Sequence, residues 1–85
     1  MPGSITFSLR NNQMTDVTVT VVDLRTNASV LDHAPLYVNE SVAVTVVAGS
    51  DGTGSASWVF FSADGSVNSN KRQDDIRDAD ECTIG

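Results

Sequence analysis

Over Ser41 to Val47, the residues Val42, Val44 and Val46 alternate with Ala43, Thr45 and Val47, the period of two expected of a β-strand packed on a core. A closely similar run, Val17-Thr18-Val19-Thr20-Val21-Val22, comes earlier in the chain. Two strands of one pattern therefore stand at the centre of a small sheet protein. The residues flanking the two runs do not match, so the similarity reads as convergent strand chemistry and not as internal duplication.

The rest of the chain extends this pattern. Ser4 to Arg10 places Ile5, Phe7 and Leu9 on one face and Thr6, Ser8 and Arg10 on the other, and Asn11-Asn12-Gln13 turns the chain. The next strand, Thr15 to Leu24, carries Val22 and Leu24 in the parity opposite to Val17, Val19 and Val21, which a bulge near Val21-Val22 or burial of both faces would accommodate. A loop through Thr26-Asn27-Ala28 leads to a short strand at Ser29 to Asp32. His33-Ala34-Pro35 interrupts the ladder, because proline donates no hydrogen bond, so an edge or a sheet-to-sheet crossing is expected there, and Leu36-Tyr37-Val38 is a brief extended piece. After the valine strand comes a permissive loop, Ala48 to Gly54, with glycine at 49, 52 and 54. Ser55 to Ser62 then holds most of the aromatic mass, with Trp58 and Phe60 on one face and Val59 and Phe61 on the other. Asp64-Gly65 predicts a two-residue type I′ hairpin that returns a short strand, Ser66 to Ser69, onto the aromatic one. From Lys71 the alternation ends, and residues 71–85 read as a charged tail or a short surface helix appended to a β-domain at 1–70.

About six to eight short strands, with turn signals about every 8–12 residues, fit an all-β, two-sheet antiparallel β-sandwich of immunoglobulin-like type. A small closed β-barrel is the alternative. The pattern resembles immunoglobulin-like modules at the level of strands and turns, without the Cys–Trp–Cys spacing of antibody domains. A chain of 85 residues buries only about 60–65 % of its unfolded surface, and the single cysteine, Cys82, provides no disulfide staple. There is no apolar run of about 18 residues and no basic region followed by an apolar one ahead of the first strand, so neither a membrane span nor an export signal is expected. A balance rich in Ser, Thr, Asn and Gly and poor in lysine is common in extracellular or virion-surface β-domains.

The net charge of −6 argues against nucleic acid and anionic membrane as partners, since both are held mainly by Lys and Arg. Clustered carboxylates are the hard oxygen ligands that calcium takes, and a calcium site in this chain would join Asp51 and Asp64 with the tail carboxylates Asp78 and Asp80 at one end of the sandwich. No glycine stands where an EF-hand loop would need it, and a charge run is more often a solvated surface. His33, the one histidine, is not spaced to pair with Cys82 or a serine, so no catalytic residue is assigned. Asn27-Ala28-Ser29 and Asn39-Glu40-Ser41 match the glycan-acceptor sequon in turns.

Trp58-Val59-Phe60-Phe61 is the most informative stretch, because it puts large apolar groups on both faces of one strand, of which only one meets the core of a sandwich. The second face is covered by the tail through Ile76, or it is open to a partner. The function expected is a non-enzymatic binding or assembly module that meets a protein partner or another copy of itself through Trp58, Val59 and Phe61 or through the glycine-rich loop 49–54. The alternative is a calcium-dependent carbohydrate-binding, lectin-like module that uses the loop carboxylates and Trp58 as a stacking platform.

Overall fold

The computed structural model of the chain describes residues 3–85, which form strands and turns without a helix. The strands are β1 (Ser4–Arg10), β2 (Val17–Asp23), β3 (Ala28–Leu36), β4 (Ser41–Val47), β5 (Gly54–Ser62), β6 (Asn68–Ile76) and β7 (Glu81–Thr83). They make two sheets, a three-stranded one in the order β4-β1-β7 and a four-stranded one in the order β3-β2-β5-β6. The architecture is the expected small β-sandwich, open and not closed into a barrel. All pairings are antiparallel except that of β1 with β7. In an immunoglobulin constant domain the first strand joins the sheet of the second and fifth. Here β1 lies in the opposite sheet, between β4 and β7. The two similar valine runs, β2 and β4, also fall in different sheets.

The alternation read from the sequence sets the inner faces. Ile5, Phe7 and Leu9 from β1 and Val44 and Val46 from β4 meet Val17, Val19 and Val21 from β2 and Ala56, Trp58 and Phe60 from β5. Burying each large side chain contributes of order 2–3 kcal/mol, so this set supplies most of the driving force for folding. Phe7 and Trp58 meet across the sandwich with ring centroids 6.4 Å apart and planes tilted by 35°. The indole Nε1–H of Trp58 donates to the Ile84 carbonyl at 3.0 Å, so the one polar group of this buried ring is satisfied.

Four expectations are corrected. Residues 71–85 are neither a solvated tail nor a helix: they supply most of β6 and all of β7, with Ile76 and Ile84 fully buried. The hydrophobic demand of those two isoleucines, with the carbonyl that Trp58 needs, draws a charged segment into the sandwich. Ile76 packs between the sheets and does not cover the Phe61 face. Second, the strand is not interrupted at His33-Ala34-Pro35: β3 runs through it as one strand, at the sheet edge that a proline there implied. Third, the irregularity expected near Val21-Val22 is there, but in the partner strand: β2 keeps an unbroken register against β5, whereas Val19, Val21 and Val22 of β2 face Ala34, Leu31 and Ser29 of β3. The extra residues belong to β3, where His33 takes a φ of 50° with its N–H donated to Thr20 Oγ1. Val22 is half-buried on the outer side. Fourth, Asp64-Gly65 is not a two-residue hairpin. The β5–β6 connection spans 63–67, with Gly65 N–H bonded to the Ser62 carbonyl, Ser62 N–H bonded to the Val67 carbonyl, and a positive φ of 74° at Gly65 alone.

Candidate functional site

The inner parity of β5 consumes Trp58 and Phe60 in the core, and the outer parity is left to the surface of the four-stranded sheet. Register defines that surface row by row. Pro35, Thr18, Phe61 and Asn68 lie side by side across the four strands, followed by Thr20, Val59 and Asn70, then Val22, Ser57 and Arg72. Phe61 is 43 % exposed, a large loss of apolar burial for a residue in a central strand. Tyr37, just beyond β3, is also exposed, and Thr18, Pro35, Tyr37, Phe61, Ala63 and Asp16 line a shallow hollow of about 180 Å³. A second hollow of about 310 Å³ continues along the sheet, lined by Thr20, Val22, Ser57, Val59, Asn70 and Arg72 among others. The face is thus apolar at its centre, with the Asp16 carboxylate at one end and the Arg72 guanidinium at the other. Asp16 is anchored by the Val38 N–H at 2.9 Å, and Arg72 by Asp74 at 3.3 Å.

Of the residues expected to meet a partner, Phe61 and Val59 lie on this face and Trp58 does not. Trp58 is 2 % exposed, so it offers no stacking platform to a sugar. Thr18, Pro35 and Tyr37 carry no signal of their own in the sequence. Periodicity assigns Phe61 to a face, but only the pairing of β2 with β3 and β5 brings these neighbours beside it. The glycine-rich loop is a tight turn: Asp51 Oδ1 accepts the Thr53 N–H and hydroxyl, and Gly49 N–H bonds the Thr53 carbonyl.

The four carboxylates expected as calcium ligands do not converge. Asp51 precedes β5 and Asp64 follows it, so about nine residues of extended strand, at about 3.3 Å each, separate them. Each is occupied in its own turn. Asp64 Oδ1 accepts the Ser66 N–H and the hydroxyls of Ser66 and Ser62, which pulls its carboxyl down to about 2, the Ser66 N–H contributing most. The Thr53 donors likewise lower Asp51. Asp78 Oδ1 accepts the Thr6 N–H and Asp80 Oδ2 the Arg77 N–H. Among the described residues no three acidic, histidine or cysteine side chains gather into a metal-binding group.

His33 sits at the β3 edge with Nδ1 2.6 Å from Asp32 Oδ1, both side chains exposed. Cys82 is half-buried on β7 in the other sheet, and burial followed by the nearby Asp80 charge pushes its thiol up, away from the reactive thiolate. Asn27 and Asn39, the two sequon asparagines, are exposed in turns with φ of 59° and 63°. No family model, curated protein or solved structure matches this chain.

Proposed function

We propose that the chain is a non-enzymatic binding module whose outer four-stranded face, centred on Phe61 and Val59, docks a protein partner. One observation carries this reading: a phenylalanine on an inner strand of the four-stranded sheet is 43 % exposed on the outer face. An aromatic ring flanked by small side chains such as Thr18, Ala63 and Pro35 offers an anchor that an apolar side chain of a partner can cover. Asp16 and Arg72 at the two ends supply opposite charges that orient a docked segment.

The test is Phe61→Ser. The melting temperature is expected to change by no more than a few degrees, because the ring contributes little to the core, while capture of a binding partner selected by affinity enrichment against the folded chain is lost. A large fall in melting temperature with capture retained would return Phe61 to a purely structural role.

A further inference from the structure

We propose that the outer edge of β4 pairs with β4 of a second copy of this chain, joining two three-stranded sheets into one continuous sheet. This surface lies on the sheet opposite Phe61 and is independent of the partner face centred there.

Hydrogen-bond parity shows which side of β4 is open. Ala48 N–H bonds the Gly3 carbonyl and Asn11 N–H bonds the Glu40 carbonyl, with the register Ile5–Val46, Phe7–Val44 and Leu9–Val42 between them. The even-numbered residues of β4 therefore spend their backbone groups on β1. Ser41, Ala43, Thr45 and Val47 aim theirs the other way, and among the described residues no strand pairs with that side. Asp23 Oδ2 takes the Val47 N–H at 2.8 Å, which ends the open run at Thr45.

Sheet edges of this kind are normally protected by charge, proline, bulges or shortness. The other edges here are protected in those ways. β3 carries Pro35 and two register shifts, β6 carries Lys71, Arg72, Asp74 and Asp75 and a register shift, and β7 spans only Glu81–Thr83. β4 has no charge, no proline and an unshifted seven-residue register.

A second copy is the occupant that fits. The open run Ser41–Thr45 is centred on Ala43, so an antiparallel two-fold pairing sets Ala43 against Ala43 and Ser41 against Thr45, matching every N–H with a carbonyl. The side chains brought together are small and uncharged, as are two of their neighbours on β1, Thr6 beside Thr45 and Ser8 beside Ala43, while Arg10 stands beside Ser41 at the end of the run and donates to Asn39 Oδ1. In a molecule of net charge −6, two copies repel over most of their surface, and this strip is one where they can approach.

The experiment is light scattering on the full chain as a function of concentration, with amide exchange of Ala43 and Thr45 followed in parallel. The expected mass is twice the 9.0 kDa of the chain, with both amides becoming more protected as concentration rises. Ala43→Lys, which sets like charges across the two-fold axis from an exposed position, is expected to give the single-chain mass, and Phe61→Ser to leave the doubled mass intact. A single-chain mass at millimolar protein overturns the proposal. So does a dimer that survives in folded Ala43→Lys, or one that dissociates in Phe61→Ser. If Ala43→Lys does not fold, the concentration dependence of the two wild-type amides decides alone.

Discussion

Asp23 occupies the last inward position of β2, where Val17, Val19 and Val21 precede it, and it is 2 % exposed. One oxygen holds its own turn and the other ties the sheets together: Oδ1 accepts the Arg25 N–H at 2.9 Å and Oδ2 the Val47 N–H at 2.8 Å. Hydrogen bonds to a charged group contribute about 1.5–3 kcal/mol, and removing the acceptor strands both donors. Asp23→Ala is therefore expected to lower the unfolding free energy by about 2–3 kcal/mol in urea titrations, with Asp23→Asn intermediate because its carbonyl oxygen retains one bond. The parity of position 23 was legible in the chain, but a carboxylate there reads as the start of a loop, since the Val47 N–H that satisfies it is fixed only by tertiary structure. Asp64 gives a pH signature. Its carboxyl, held at about 2 by the Ser66 and Ser62 donors against an ordinary 3.8, is depressed in the fold, so its stabilisation is present above pH 3.8 and lost as pH falls towards 2. In Asp64→Ala the fall of melting temperature across that window is expected to be shallower than in the wild type.

At the level of the strand, facing is the quantity to test. Val44 is 2 % exposed and Thr45 lies outside with its hydroxyl 2.9 Å from that of Thr6. Val44→Asp is expected to abolish cooperative folding, because it buries an unpaired charge, while Thr45→Asp leaves a folded chain that has lost about 1 kcal/mol or less, as read by thermal melts. The inward faces of β1, β2, β4 and β5 were legible because apolar and polar residues alternate there. β6 was not. Its inner-side positions include Lys71 and Gln73, half-buried while Arg72 is exposed, so the period of two exists in burial but not in hydrophobicity. Long polar side chains can lay their stems along a core rim and keep their ends in water, which hides an edge strand inside a charge run.

For the molecule as a whole, the last residues close the core. Truncation after Asn70 removes Ile76, Ile84 and the carbonyl that accepts the Trp58 indole, together with the strand that covers the outer edge of β1. Near-ultraviolet circular dichroism from Trp58 and the cooperative melt are both expected to disappear. The candidate site was half legible for a related reason: Phe61 and Val59 could be placed on a face by parity, whereas the hollow they share with Thr18, Pro35 and Tyr37 depends on which strands become neighbours. The parallel pairing of β1 and β7 has a mechanical meaning as well. Because the two strands run the same way, a pull on Gly3 and Gly85 acts along them in opposite senses. The bonds from Ser8 N–H to Asp80 O, Ala79 N–H to Thr6 O and Ile84 N–H to Arg10 O then bear the load together in shear. A chain built this way resists tension at its ends as a lap joint does, not as a zipper that opens one bond at a time.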